Sequence, residues 1–246
     1  MTIKELFKFL RDCNDMIRSI WQLSIEVPKF RFETKDNLRE ADLQGADFQK
    51  AYLTRTDFCK ANLERANLKK ACLWMSVLNN ANLKGANLEG ARLNRADLKY
   101  ANLFGANLKN ANLWGASFMG ANLMETNFEG AKLGSVTFNS ANLQKANLKN
   151  AKLRRASFEA TDLTEANFQN AYLQSAEFMR ANLRNSDLTG ARLSNANFKR
   201  ADLTATLGLN EEQLSKVYTL FNANLDLKLK IKLIEKCPHL FEEPAR

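Results

Sequence analysis

The 246-residue chain is short of the residues on which most site chemistry depends. It has one histidine, His239, so no histidine triad or cluster of imidazole ligands can form within the chain. The cysteines at 13, 59, 72 and 237 include no C-x-x-C pair, which excludes the usual zinc, c-type haem and iron–sulfur spacings. Three prolines and ten glycines exclude a collagen-like chain. The sequence lacks a Gly-rich phosphate loop, a G-x-S-x-G elbow and any run of eighteen apolar residues. The opening MTIKELFKFLRDCND mixes both charge signs where a signal peptide needs an apolar stretch, so a soluble protein of a reducing, cytoplasmic setting is expected. No enzyme class and no cofactor is indicated.

What is present is a repeat. Leu or Phe stands at every fifth residue from Leu43 to Leu203, 33 centres of which 24 are Leu and nine are Phe. Ala precedes the centre by two residues in 27 of them, and the exceptions, Thr56, Ser76, Thr126, Val136, Thr161 and Ser186, are small or β-branched. A period of five fits neither the 3.6 of a helix nor the strict alternation of a long strand, whereas Ala-x-Leu taken alone is strand-like. Each pentad therefore reads as a short strand plus a corner.

Pentads such as ANLKG, ANLEG, ADLKY and ANLKN resemble those of the pentapeptide-repeat family over residues 41–205. The resemblance implies an all-β solenoid, a right-handed quadrilateral β-helix in which four pentads make one square coil, with Ala and the centre pointing inward. It also implies a family that includes quinolone-resistance proteins that mimic DNA on topoisomerases. An independent sign of the twenty-residue coil is that six of the nine Phe fall in one column of period twenty, from Phe58 to Phe198. About eight coils, each adding roughly 4.8 Å, would make a rod roughly 40 Å long. In the columns led by Asp42 and Asp47 all seventeen residues before the centre are Asn or Asp, the signature of side-chain ladders along stacked strands.

The repeat needs caps at its open ends. Residues 1–35 are expected to form an N-terminal helical cap and lead-in, with Ile3, Leu6, Phe7, Leu10, Cys13, Ile17, Ile20 and Trp21 on one helical face. Residues 36–208 form the repeat domain and 209–246 a C-terminal helical cap. Within that cap, Asn210 with Glu211, Glu212 and Gln213 opens a helix through about Leu220, and a second helix runs from about Asp226 to Lys236, ended by Pro238. Alternation of Leu/Ile with Asp/Lys over 225–233 also suits a strand, but a lone strand lacks a neighbour. The terminal helices are a candidate homodimer contact, and the cysteines are read as inert thiols, against a disulfide tying a cap to the rod.

Charge is unevenly spread. Of the net +9, one wall of the coil, the pentads starting at 51, 71, 91 and so on to 191, carries eight basic residues and no acidic one. These are Arg55, Arg92, Arg95, Lys132, Lys152, Arg154, Arg155 and Arg192, and on the same wall stand Tyr52, Trp74, Trp114 and Tyr172. Cations interleaved with aromatics suit an acidic protein partner, or, as the alternative, phosphate contacts and base stacking by a nucleic-acid or anionic-surface binder. Topoisomerase-directed DNA mimicry is disfavoured, because it needs rows of negative charge and the most acidic wall carries only −2. The expected role is that of a non-enzymatic interaction or scaffold protein.

Overall fold

The computed structural model describes residues 37–244. The expected N-terminal helix lies outside the described residues. From Asn37 to Asp187 every residue that precedes a pentad centre pairs in parallel with the residue twenty positions on, as in Asn102↔Asn122. Four pentads therefore close one coil, and the walls are ladders of very short parallel strands.

The hydrogen bonds explain why a five-residue unit suffices. In the pentad Ala91–Arg95, the Arg92 N–H donates to Ala71 O at 2.9 Å, Leu93 N–H to Asn112 O at 2.7 Å and Arg95 N–H to Trp114 O at 2.9 Å. Ala96 N–H, of the next pentad, closes the corner on Leu93 O at 3.0 Å. Four of five N–H groups are thus satisfied by neighbouring coils and the turn. The fifth, one residue after the centre, is served in the Asn/Asp columns by the residue before the centre: Phe104 N–H donates to Asn102 Oδ1 at 3.2 Å. The same oxygen accepts from Asn122 Nδ2 at 3.1 Å, so Asn102 both caps its own turn and ties its coil to the next. The corner residue sits at positive φ, 56° at Arg95, the torsion that a type II turn requires at its second central position.

Ala and Leu/Phe fill the interior, with Leu103, Leu113 and Phe158 fully buried. The Phe column forms the expected stack: Phe138–Phe158 at 5.1 Å, Phe158–Phe178 at 4.8 Å and Phe178–Phe198 at 4.9 Å between ring centroids, all nearly parallel. Phe168 reaches it from the opposite wall, edge-on to Phe158 at 5.9 Å.

The C-terminal end departs from the sequence expectation in two ways. Pairing continues beyond residue 208, but with a step of twenty-two, as Asn197↔Thr219 and Asp202↔Asn224. The helix opened by Asn210, here α1, spans only Glu211–Leu214 and stops well short of Leu220. The chain returns to the rod at once, with Tyr218 N–H donating to Ala196 O at 2.8 Å, and these main-chain bonds hold 216–220 out of a helix. The two extra residues let α1 take the place of a strand on the basic wall. From it Gln213 Nε2 donates to Leu188 O at 3.3 Å and Ala191 O at 3.1 Å, serving carbonyls next to the open edge. The second expected helix, α2, spans Leu227–Lys236, so the strand alternative is set aside. Leu233 of α2 and Leu240 of the following 3₁₀ turn are buried with the core, and Glu211 pairs with Lys232 at 3.0 Å and also with Lys236. Cys59, Cys72 and Cys237 are free thiols.

Candidate interaction face

The ladder Tyr52–Cys72–Arg92–Asn112–Lys132–Lys152–Tyr172–Arg192 is continuous, each residue bridged to the next. Arg92, Lys132, Lys152 and Arg192 are exposed along it, and the five coil steps from Arg92 to Arg192 span about 24 Å. Arg55, Arg95 and Arg155 occupy corners of the same wall at positive φ, with Arg154 exposed beside Arg155. All twelve residues singled out in the sequence therefore share one wall or its edge.

This wall gives up a hydrogen-bonding device that the Asn/Asp columns led by Asp42 and Asp47 keep. Lys and Arg have no acceptor, so the N–H after the centre cannot be capped from within the pentad at positions 92, 132, 152 and 192. Only Asn112 retains the arrangement, accepting from Trp114 N–H at 3.4 Å. Lys132 and Lys152 are also directly bridged, a like-charge pair that costs stability.

The electrostatics follow the same division. Elsewhere on the rod cations find carboxylates one coil away or nearby: Lys69–Glu89 at 2.9 Å, Lys109–Glu129 at 3.1 Å, Lys99–Asp97 at 3.4 Å and Arg184–Asp202 at 3.4 Å. Among the described residues none of the eight cations of the basic wall has an ion pair. Three of the eight have aromatic company instead. The guanidinium of Arg55 lies over Trp74 at 5.3 Å, that of Arg95 over Trp114 at 5.4 Å, and that of Arg192 over Tyr172 at 4.6 Å.

This arrangement bears on base stacking at three of the four rings, while Tyr52 stays exposed. A ring face covered by a guanidinium is not open to a planar base, and the Trp114 indole also abuts Gly134 of the following coil, whose Cβ, were there one, would stand 3.0 Å from Trp114 Cδ1. The tryptophans hold arginines in place more than they offer platforms. Gly134 escaped the sequence reading because its role is visible only from the coil below. No group of His, Cys, Asp or Glu fit to hold a metal ion occurs among the described residues. No helix among them is long and apolar enough to cross a membrane.

Comparison with known families now settles the repeat. A profile of pentapeptide repeats in eight copies matches residues 37–74 and 61–99, and one of a pentapeptide repeat region matches 91–168 and 131–206. The chain belongs to the pentapeptide-repeat family. Members of that family form right-handed quadrilateral β-helices, in agreement with the four-walled coil seen here. Among solved structures, HetL, a pentapeptide repeat protein involved in heterocyst differentiation regulation in Nostoc sp. strain PCC 7120, is 27% identical, over 85% of this chain and 92% of its own, with a TM-score of 0.46. A pentapeptide repeat protein of the Arabidopsis thaliana thylakoid lumen is 29% identical over 38% of this chain and 66% of its own, with a TM-score of 0.38. QnrB1, a plasmid-mediated fluoroquinolone resistance protein, is 18% identical over 83% and 97%, with a TM-score of 0.39. No curated protein matches.

Proposed function

We propose that this pentapeptide-repeat protein is a non-enzymatic binding scaffold whose basic wall, from Tyr52 to Arg192, docks an acidic protein in a reducing, cytoplasmic setting. The observation that carries the reading is the absence, among the described residues, of ion pairs around eight cations on one rigid wall, while each of the other three walls contains them. Arginines already ordered over aromatic rings lose less freedom when they meet a carboxylate than free ones do, which favours docking. Nucleic acid is the weaker reading, because covered ring faces take away the stacking part of single-strand binding. The free thiols Cys59, Cys72 and Cys237 suit the proposed compartment.

The test is a pull-down from native cell extract with a quadruple variant, Arg92→Glu, Lys132→Glu, Lys152→Glu and Arg192→Glu. The matched control reverses four cations that also lack ion pairs but lie on other walls, Lys50, Lys70, Lys84 and Lys149. Loss of an acidic protein with the first set and its retention with the second is the expected result. Retention of the same partners by both identifies the wall as ordinary solvated surface, and a nuclease-sensitive capture assigns it to nucleic acid.

A further inference from the structure

The positive charge of the basic wall is concentrated at one level of the rod. Lys132, Lys152, Arg154 and Arg155 stand in two consecutive coils, whereas the pentads one coil before and one coil after them on this wall, 111–115 and 171–175, hold no charged residue. All four are exposed, and among the described residues none has a carboxylate or an aromatic ring as partner. The carboxylates nearest in the chain do not serve them: Glu129 pairs with Lys109, and Glu159 pairs with no cation.

The main chain adds donors at the same level. In the Asn ladders the N–H that follows a centre points outward, toward the side chain of the residue before the centre, as Phe104 N–H does toward Asn102 Oδ1. At Gly134 and Arg154 the equivalent N–H groups lie beside Lys132 and Lys152, and neither has an acceptor among the described residues. They are one coil step, about 4.8 Å, apart. The Trp114 indole supplies another N–H without an acceptor among these residues, its Nε1 being 3.5 Å from where a Gly134 Cβ would stand.

We propose that this spot is a phosphate subsite, which takes the phosphomonoester of a phosphorylated serine or threonine in the acidic partner; the assignment rests on the docking role of the wall. A phosphate oxygen takes the place that an amide oxygen holds in the Asn ladders, accepting from Gly134 or Arg154 N–H. Two oxygens of one tetrahedral group reach both donors with a modest tilt of the hydrogen bonds. Charge selects among anions. A phosphomonoester carries about −1.5 to −2 near pH 7 and offers three acceptor oxygens, whereas a carboxylate or a phosphodiester carries a single charge. Four cations bounded by neutral pentads match one concentrated dianion, while a nucleic-acid backbone needs cations all along the rod. The dianion also relieves the repulsion between the bridged Lys132 and Lys152.

Amide-resolved nuclear magnetic resonance on the full chain at about pH 7.5, where a phosphomonoester is close to fully ionised, tests the site without a partner. Methyl phosphate should shift the Gly134 and Arg154 amides and the Trp114 indole N–H, and bind roughly tenfold tighter than acetate or dimethyl phosphate. Lys152→Asn removes one cation and gives Arg154 N–H an acceptor of its own; it should weaken methyl phosphate several-fold without lowering the melting temperature, and Lys70→Gln, on another wall, should change nothing. Phosphatase treatment of the extract should abolish capture of the acidic partner. Methyl phosphate no tighter than acetate, shifts as large around Lys50 and Lys70 as around the cluster, or binding indifferent to Lys152→Asn overturns the subsite. Equal binding of dimethyl phosphate assigns the spot to phosphodiesters and overturns it as well. Capture that survives phosphatase yet is lost in the quadruple charge-reversed variant overturns the subsite and leaves the docking wall standing, whereas capture retained by that variant is the failure of the wall itself.

Discussion

At the corners of the coil a single torsion sets what each side chain costs. Glu, Lys, Arg, Asn and Ser sit there at φ between 54° and 61°, a region that disfavours any residue with a Cβ by roughly 1–2 kcal/mol. They persist because the coils above and below fix the turn through three main-chain bonds that no single residue can relax. Two glycines separate the torsional cost from the steric one. Gly105 (φ 63°) has nothing within 4 Å of where a Cβ would stand, whereas at Gly208 (φ 75°) that position is 2.4 Å from Thr189 Cα and 2.5 Å from Thr189 N. Gly105→Ala should therefore cost about 1 kcal/mol, the torsional penalty alone. Gly208→Ala should cost about 3 kcal/mol or more, because main-chain atoms must move as well. Urea denaturation of the two variants measures the difference, and equal midpoints would contradict the packing described at Gly208.

At the level of the wall, the Asn ladder and the cation column are competing uses of one position. Asn at that position caps a turn N–H and ties two coils, while Lys or Arg leaves the N–H to water and adds like charge. Lys132→Asn should restore the cap on Gly134 N–H and a rung to Asn112, raising stability by about 1 kcal/mol while weakening capture of the acidic partner. Thermal melts and the pull-down, read together, check both halves. This competition was half legible in the sequence. The Asn/Asp columns, the Phe stack and the all-basic wall could be read directly, because side chains twenty residues apart must be neighbours once the coil is known. That Arg55 and Arg95 cover Trp74 and Trp114 could not, since which way a side chain leans is set by contacts between coils and not by period. The pairing that continues past residue 208 was hidden for a related reason. Ala223-Asn224-Leu225 is a good pentad core, but two inserted residues put it out of the count of five that had held since Leu43.

Over the whole molecule the carboxylates of the Asn/Asp columns contribute to the response to acid, alongside the ion-paired Glu89, Glu211, Glu212 and Glu243. Burial acts to raise the Asp162 carboxyl, but hydrogen bonds from Thr164 and Gln144, at 2.6 Å each, outweigh it and hold its pKa below the ordinary value. Asp187 and Asp202 are lowered in the same way, burial opposing and Thr189 with Gln169, or Thr204 with Arg184, prevailing. A carboxyl lowered in the folded state contributes stability that is present above its unfolded pKa, about 3.9, and is lost as pH falls through the folded value. Melting temperature should accordingly be insensitive to pH from 7 to about 5 on this account and decline below about pH 4, with Asp162→Asn blunting the decline. A decline unchanged by that substitution would place the acid-sensitive groups elsewhere. The step of twenty has one more outcome. Since every rung joins residue i to residue i+20 from 37 to 207, gaining or losing one whole turn of the helix keeps the surviving walls in register, whereas a change of another length must be absorbed by giving up a strand, as the step of twenty-two is by α1. The rod can vary in length among descendants only in ticks of about 4.8 Å, so the spacing of its cations is inherited as a ruler is, by the addition or removal of whole divisions.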